Sequence, residues 1–340
     1  MRAGCNMPDV IARRLGGACN LCIGSASPPS PLHSPEVLSR VITHLGGLDL
    51  AWPRRLRNPQ LPDLPAHLPV LVQAYADQLA LPWVVLHGAR VLGVTGSRIT
   101  PKHMQPVREV YRLSPTTRVA LELYVEDRVL EGLWANRRQL IPAIKEMGFD
   151  LVLSPNFSVW RDACRIESVI QIKRSFAFYH ELVESGAVAI PDVGFSFFEP
   201  DGRLWADWIN SQPELQAISL FCGGRKINAE KRALRETLED IALLDEAVRP
   251  DVTFVLGGVH AAERLAQYRR AAPTRRLVCC NGMAYAMAQR RKLLDSHLPA
   301  GQRSARECFL LNCIHNDRVY TRLLNQAELH QMQHLQPLEG

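Results

Sequence analysis

The segment FDLVLSPNFSVWRDACRIESVIQIKRSFAFYHELVESGAVAIPDVGFSF, residues 149–197, predicts a strand, a helix and a second strand in succession. Its two ends, 149–156 and 187–197, are apolar runs with the length of buried strands. Between them, residues 165–185 place apolar side chains at helical spacing, and Gly186 follows where a C-terminal cap is expected. Two buried strands joined by a helix are typical of a parallel sheet.

The same alternation of apolar strands and amphipathic helices runs from Leu81 onward, with a second helix predicted over 229–248. Seven strands, and an eighth proposed at 307–315, favour a parallel (β/α)8-like barrel. An open doubly wound sheet is the alternative, because both architectures satisfy the right-handed crossover rule. The seven segments are 83–90, 118–127, 149–156, 187–197, 217–224, 251–260 and 276–282.

The first 69 residues differ in composition, because they contain ten of the 23 prolines of the chain. Proline lacks a backbone donor and interrupts helices, and only residues 36–47 show helical spacing here. We therefore predict an irregular, Pro-rich and Cys-containing leader (1–69) that packs on a barrel domain (70–325), followed by a C-terminal tail (326–340).

The composition is that of a globular protein, with 340 residues of which 47% are hydrophobic and 22% charged. The sequence has no apolar run of about 20 residues and no secretory signal pattern, which predicts a cytoplasmic protein without a membrane span. The net charge of +6 is compatible with an anionic partner, or with a solvated basic surface that has none. The oligomeric state is not indicated.

Polar side chains follow the apolar run of each predicted strand. In parallel barrels the active site lies at the carboxyl ends of the strands, so these side chains should share one mouth. Glu122, Asp192 and His260 are the candidate catalytic residues, since burial can shift their pKa values toward working pH. The alternative is that the two carboxylates form ion pairs with Arg90 or Lys173. The candidate substrate-binding residues at these strand ends are His87, Arg90, Ser154, Asn156, Ser158 and Asn281.

Two glycine pairs follow predicted strands, in FCGGRK (221–226) and VLGGVH (255–260). Glycines allow backbone amides to approach a phosphate, although plain tight turns explain them equally well and neither segment matches a nucleotide-binding motif. The candidate anion-binding residues in these turns are Gly223, Gly224, Arg225, Gly257 and Gly258.

The N-terminal cysteines form a candidate metal site, because the C-x2-C spacing of Cys19 and Cys22 lets both thiolates reach one ion. Together with Cys5 they are suited to an iron–sulfur cluster. A fourth ligand, Cys308, Cys313 or His315, would complete a zinc site instead. Unligated thiols in a packed leader are the other interpretation.

Basic pairs recur on or beside the predicted outer helices, where they either contact nucleic acid or are simply solvated. Tryptophans could stack on bases if exposed, or pack in the core. The basic groups are Arg137 and Arg138, Arg269 and Arg270, Arg275 and Arg276, and Arg290 to Lys292; the tryptophans are Trp134, Trp160, Trp205 and Trp208.

The block from Leu133 to Gly224 resembles an uncharacterised family of proteins carried by phages, plasmids and integrating elements. The resemblance rests on the Ser-Pro-Asn-Phe-Ser motif (154–158), the basic pair at 173–174 in the following helix, and the Ile-Pro strand at 190–191. It implies a mobile-element setting and a shared α/β fold. The layout is also similar to that of tRNA-guanine transglycosylase barrels, although their Asp-Ser-Gly signature and compact cysteine motif are absent.

These observations predict a barrel enzyme of transferase or hydrolase type that acts on an anionic nucleotide-type or nucleic-acid substrate, with base or nucleoside modification as one such reaction. Two other functions are compatible with the sequence. One is a non-catalytic nucleic-acid-binding accessory protein of a mobile element. The other is a metal-dependent lyase or hydrolase of a small metabolite.

Overall fold

The computed structural model describes residues 35–47, 56–57, 59–93, 95–100, 105–159, 165–194, 199–223, 231–295, 297–298 and 302–325. Within these ranges the chain alternates strands with helices. The strands are β1 (His67–Leu71), β2 (Trp83–His87), β3 (Arg118–Glu122), β4 (Leu151–Leu153), β5 (Ala189–Ile190), β6 (Ala217–Phe221), β7 (Thr253–Gly257) and β8 (Leu277–Asn281).

The described helices surround this sheet. The long ones follow β4, β6 and β8, and short ones follow β2 and β7. They are α1 (Pro35–His44), α2 (Gly88–Val91), α3 (Val107–Val110), α4 (Asp127–Ala135), α5 (Arg137–Glu146), α6 (Arg165–Glu184), α7 (Glu199–Ser211), α8 (Lys231–Ala247), α9 (Ala262–Ala271), α10 (Met283–Gln289) and α11 (Ala305–Leu324). Within the described part of the chain, none of these helices has the length and apolar character that crossing a membrane requires.

The eight strands form one parallel sheet in the order β5-β4-β3-β2-β1-β8-β7-β6. The edge strands β5 and β6 approach each other through a parallel bridge between Asp192 and Ser219. Here the Val193 N–H donates to the Ser219 carbonyl at 2.8 Å, and the Ser219 N–H donates to the Pro191 carbonyl at 2.8 Å. The sheet is therefore a nearly closed barrel, which confirms the predicted fold class, and the doubly wound alternative is wrong.

The segment that predicted the fold has the expected structure. Strand β4 and strand β5 lie at its two ends, and α6 connects them. Helix α6 ends at Gly186, whose φ of 81° is in the left-handed region that glycine adopts without strain. The Gly186 N–H donates to the Val183 carbonyl and the Ala187 N–H to the Leu182 carbonyl, which satisfies the last turn of the helix.

The eighth strand was predicted in the wrong place. Residues 307–315 belong to α11, which begins with a capping box: the Ser304 hydroxyl accepts from the Glu307 N–H, and the Glu307 carboxylate accepts from the Ser304 N–H. The missing strand is β1, which pairs with β2 and β8 at the centre of the sheet order. Because β1 starts at His67, the barrel begins within the segment that we assigned to the leader.

Alternate strand residues fill the barrel and the remaining ones pack against the helices. The interior is apolar over most of its height, which is the packed interior expected of an eight-stranded parallel barrel. Its buried residues include Leu68, Val70, Trp83, Val85, Ala120, Leu151, Leu153, Ile190, Ala217, Val255, Val278 and Cys280. Polar side chains enter this interior at its carboxyl end, where Glu122, Asp192 and Ser219 continue the inward-facing positions.

Candidate active site

Two buried carboxyl groups lie at the carboxyl end of the barrel. Glu122 is the last residue of β3 and 6% exposed, while Asp192 follows β5 and is 1% exposed. Among the described residues, no lysine or arginine forms an ion pair with either side chain. The ion pairs with Arg90 or Lys173 that we considered do not form; the Lys173 ammonium instead donates to the Gly47 carbonyl.

Glu122 is held by two weak contacts, one with the neighbouring strand β2 and one with β8 on another side of the barrel. The Cys280 thiol donates to its Oε2 at 3.5 Å, and Nε2 of His87 lies 3.9 Å from its Oε1. Burial raises the pKa of Glu122 from 4.5 to about 8, and the Cys280 hydrogen bond only partly opposes this shift. Glu122 therefore carries a proton at pH 7 and can donate it.

Asp192 is oriented by stronger hydrogen bonds. The Asn156 amide donates to its Oδ2 at 2.7 Å, and the Ser219 hydroxyl donates to its Oδ1 at 3.4 Å. Burial raises the pKa of Asp192 from 3.8 to about 7, although the hydrogen bonds from Asn156 and Ser219, and a looser contact from the Tyr124 hydroxyl, favour the ionised form and limit the rise. Asp192 is consequently close to half ionised at neutral pH and can accept a proton.

The Ser-Pro-Asn-Phe-Ser loop after β4 positions Asn156. The ring of Phe157 packs edge-on against Trp134 at 5.8 Å between centroids and lies under the Arg174 guanidinium at 4.6 Å. The Ser158 hydroxyl donates to Asp127 Oδ1 at 2.8 Å. These contacts fix the loop directly after Asn156, so the loop orients the Asn156 amide that donates to the Asp192 carboxylate.

Arg174 of α6, which belongs to the basic pair of the sequence resemblance, packs against this loop. Arg174 is fully buried and donates through both terminal nitrogens to the Glu131 carboxylate, at 2.6 and 2.8 Å. Its guanidinium also stacks over the Trp134 ring at 5.1 Å. Arg174 thus links α6, α4 and the loop after β4, and it is too deeply buried to contact a partner.

His87 lies beside Glu122 in a defined tautomer. Its Nδ1 accepts the Ala89 N–H at 3.1 Å, so in the neutral ring the proton is on Nε2, which faces Glu122. Burial, and to a smaller degree the charge of Arg90, lowers the pKa of His87. His87 is therefore a neutral hydrogen-bond donor at pH 7.

Tyr124, two residues after Glu122, lies near both carboxyl groups. It is 8% exposed, and Asp192, Ser219, Cys280 and Glu122 all affect its pKa, which burial raises well above 10. No hydrogen bond of normal geometry satisfies its hydroxyl among the described residues. Tyr124 was not among the residues that the sequence indicated.

The other candidate residues have different surroundings. His260 is exposed on the loop after β7, and Arg90 is exposed on α2 at the same end of the barrel. Ser154 is fully buried, and its hydroxyl has no partner among the described residues.

Asn281 donates to the Val259 carbonyl at 2.7 Å and to the Tyr320 hydroxyl of α11 at 3.2 Å, so it holds α11 against the barrel. Its position gives no support to a role in substrate binding.

The glycines after β6 and β7 are required by close packing. A Cβ atom on Gly257 would lie 2.5 Å from Cε2 of Tyr124, and one on Gly258 would lie 2.6 Å from the Cα of Gly223. The space beside these glycines is thus filled by protein.

Gly224 and Arg225 lie outside the described residues, as do Cys5, Cys19 and Cys22. Within the described ranges no group of three or more His, Cys, Asp or Glu residues could hold a metal ion.

Two of the basic residues that we expected on or beside the outer helices are buried, and the described tryptophans pack in the core, which was one of our two interpretations. Arg269 and Arg275 are 2% and 3% exposed, whereas their neighbours Arg270 and Arg276 are exposed. Arg137 donates to Glu181 at 2.8 Å and stacks on a tryptophan. The tryptophans of the described region, Trp83, Trp134, Trp205 and Trp208, are buried and unable to stack on bases; Trp160 lies outside it.

An open groove of about 620 Å³ occupies the opposite end of the barrel, between the segments that precede β2, β3 and β4. Gln78, Val107, Leu113 and Met147 are among its lining residues. Conserved chemistry in parallel barrels is built at the carboxyl ends of strands, whereas the amino end serves stability. The buried carboxyl pair therefore places the candidate active site at the mouth and not in this groove.

We expect Gly257→Ala to disturb the mouth, because its Cβ atom would overlap the Tyr124 ring. Overpacking of this kind costs about 1–3 kcal/mol of unfolding free energy. The measurement is chemical unfolding, with near-ultraviolet circular dichroism to report the tyrosine environment. Gly282→Ala is the matched control after β8, since the nearest atom to its Cβ would be 3.9 Å away. Equal stability of both variants would contradict the packing described here.

A comparison of the sequence with models of known protein families gave no match, and a search of curated proteins also gave none. The site must therefore be interpreted from its own geometry.

Proposed function

We propose that this protein is a barrel enzyme that uses Glu122 and Asp192 for general acid–base catalysis at the carboxyl end of the barrel. The observation that carries the proposal is the pair of buried carboxyl groups without a basic partner among the described residues. Burying a carboxyl group in this way destabilises a fold, and apolar residues could fill the same space. A functional requirement explains why two such groups occupy one mouth.

The two groups have complementary protonation at neutral pH. With a pKa of about 8, Glu122 is mainly protonated at pH 7 and is the general acid. With a pKa of about 7, lower than that of Glu122, Asp192 ionises first and is the general base. The hydrogen bonds from Asn156 and Ser219 hold the Asp192 carboxylate in one orientation. His260, exposed after β7, is proposed as a second proton carrier.

The proposed substrate is an anionic nucleotide-type molecule or nucleic acid, and the proposed reaction is a transfer or hydrolysis. Support comes from the net charge of +6 and from the exposed Arg90, which follows β2 at the same end as the carboxyl pair. The mobile-element setting is a further proposal and rests on the sequence resemblance alone. A zinc ion or iron–sulfur cluster on Cys5, Cys19 and Cys22 is a separate proposal, which metal analysis of protein purified without oxygen would test.

The binding-module alternative is weakened by the burial of its proposed contacts. Arg269 donates to the backbone carbonyls of Arg275 and Pro273, and Arg275 pairs with Asp245. Only Arg270 and Arg276 of these two pairs are exposed to a partner. Of the other proposed basic groups, Arg138 and the run from Arg290 to Lys292 are exposed. The alternative therefore keeps only part of its basic surface, and the affinity of nucleic-acid binding rises with the number of phosphate contacts.

The experiment is a substrate screen with matched variants. Parent protein, Glu122→Gln and Asp192→Asn are incubated with nucleosides, nucleotides, RNA and single-stranded DNA, and products are identified by mass spectrometry. We expect turnover of one class by the parent and a decrease of about 10²- to 10⁴-fold in either variant, because an amide cannot transfer the proton. Glu214→Gln, at an exposed carboxylate, is the control.

Unchanged turnover in both amide variants would contradict the proposal. Nucleic-acid binding that disappears only in an Arg270→Gln/Arg276→Gln variant, with no turnover by any protein, would favour the binding module instead.

A further inference from the structure

The ring of Tyr124 is fixed in the mouth of the barrel by two neighbours. Gly257 of β7 leaves the space that the ring occupies, since even a Cβ atom there would lie 2.5 Å from it. On another side the ring packs on Phe221, with centroids 5.0 Å apart, and Phe221 itself is 37% exposed. Contact with β7 on one side and with Phe221 on another restricts the ring, and with it the position of its hydroxyl.

The Tyr124 hydroxyl is directed toward the polar groups of the site and is not satisfied by them. Its nearest ionisable and polar neighbours are Asp192, Ser219, Cys280 and Glu122. The phenol lies close enough to Asp192 and Ser219 to interact with both, but neither contact has the distance and angle of a normal hydrogen bond, and Asp192 already accepts from Asn156 and Ser219. A buried hydroxyl with only such loose contacts lowers stability, which points to a partner that arrives from outside.

Tyr124 and Glu122 are both uncharged hydrogen-bond donors at neutral pH. Burial and the neighbouring Asp192 keep the pKa of Tyr124 well above 10, and Glu122 retains its proton at pH 7. A phenol and a neutral carboxylic acid, held away from water, are well suited to stabilise an oxygen atom that gains negative charge. Asp192, which also lies near Tyr124, is the group able to take up a proton.

We propose that the Tyr124 hydroxyl is a catalytic hydrogen-bond donor that, together with Glu122, binds a carbonyl oxygen of the substrate. This inference rests on the proposed function, because Asp192 creates the charge that Tyr124 stabilises. Asp192 takes a proton from an N–H or C–H bond conjugated to the carbonyl, and the electron pair of that bond moves onto the carbonyl oxygen. The substrate therefore contains an amide-like or ketone-like carbonyl, which the pyrimidine and purine bases with a ring carbonyl also provide.

The test uses 4-nitrophenolate as a stable probe with an anionic oxygen, whose absorbance changes on binding. It is measured in an Asp192→Asn background, because the carboxylate of Asp192 would repel the anion. Adding Tyr124→Phe to this background removes one donor while it keeps the ring on Gly257 and Phe221. We expect the probe to bind about 10- to 100-fold more weakly, as for the loss of a hydrogen bond to a charged group.

Tyr268→Phe in the same background is the matched control, since the Tyr268 hydroxyl is also buried, has only a loose contact with Cys222 among the described residues, and lies on the outer face of the barrel. It should bind the probe as well as the background protein does. The melting temperature of Tyr124→Phe should equal or exceed that of the parent, because the variant loses an unsatisfied hydroxyl. A lower melting temperature would indicate a structural role and overturn the proposal.

Failure of the background protein to bind the probe, or equal binding by the Tyr124→Phe variant, would also overturn it. These outcomes are distinct from failure of the proposed function, because probe binding needs no turnover. If the amide variants lose turnover while Tyr124→Phe keeps both probe binding and turnover, Glu122 and Asp192 are catalytic and Tyr124 is not.

Discussion

Replacing Glu122 with glutamine is expected to stabilise the protein progressively as the pH rises from 5 to 9. The pKa of Glu122 is about 8 in the folded protein and close to 4.5 in the unfolded chain. Between pH 4.5 and 8 the folded state binds more protons than the unfolded state. The free energy of unfolding that is fully present below pH 4.5 therefore decreases as the pH rises, and the loss is complete above pH 8. Because glutamine does not titrate, the free energy of unfolding of Glu122→Gln does not decrease in this way.

The stability difference between Glu122→Gln and the parent should therefore be small at pH 4 and reach several kcal/mol at pH 9, on the order of 1.4 kcal/mol per pKa unit. Asp192→Asn should behave likewise, with most of its change complete near pH 7. Urea unfolding at a series of pH values measures both. Glu214→Gln, at an exposed carboxylate, should show no such trend. A difference that is independent of pH would mean that Glu122 is ionised in the folded protein.

The expected pH dependence would also explain why these two carboxyl groups are informative about function. Their amide variants are expected to be more stable and less active. Such a trade-off between stability and activity is found where catalysis requires side chains that destabilise the fold. A carboxyl group that served only the structure would lose stability on the same substitution.

The architecture was largely predictable because strand composition and helix spacing are strong signals. All seven strands assigned from the sequence lie within their predicted segments, and both long helices, α6 and α8, are present. Strand β1 was missed because HLPVL lies among prolines and contains Pro69. The apolar residues at 307–315 were assigned to a strand, although Cys308, Phe309, Asn312, Cys313 and Asn316 form one face of a helix. The Ser304 and Glu307 capping pair was the available signal.

The sequence indicated Glu122 and Asp192 at the carboxyl end of the barrel, but it did not indicate which neighbouring residues face them. In a strand buried on both faces, the sequence does not show which alternate residues face the barrel interior. We therefore selected Asn281 after β8, but Cys280 faces Glu122 and Asn281 faces α11. Tyr124 and Ser219 were missed for the same reason, since only the register of β3 and β6 brings them beside Asp192.

Burial of arginine was not predictable from charge pattern. Arg269, Arg270, Arg275 and Arg276 form two similar pairs in the sequence, yet one member of each pair is buried at the amino end of the barrel. Arg275 lies in the turn between α9 and β8, where its guanidinium donates to the backbone carbonyls of Asp245, Val248 and Arg249. Carbonyl groups at the end of α8 need such donors, and this requirement appears only in the three-dimensional structure.

Arg275→Met is therefore expected to destabilise the protein strongly without a direct effect on the mouth. Its side chain is 1% exposed, its Nε lies 3.0 Å from Asp245 Oδ1, and its guanidinium stacks on Phe254 at 5.2 Å. Removing it leaves the buried Asp245 carboxylate with the Thr274 hydroxyl as its remaining described donor. Breaking a buried pair from one side costs about 3–5 kcal/mol, which corresponds to a decrease in melting temperature on the order of 10 °C.

Arg276→Met, one residue further, is the matched control. Its side chain is 56% exposed and its partner Asp63 is 87% exposed, so their ion pair contributes at most about 1 kcal/mol. Thermal and urea unfolding of both variants give the comparison, and nucleic-acid binding at two salt concentrations is measured on the same samples. Similar stability of the two variants, with binding lost only in Arg275→Met, would show that this guanidinium is available to a ligand. A large loss of stability in Arg275→Met alone would assign it to the amino end of the barrel, because buried donors there satisfy the end of α8.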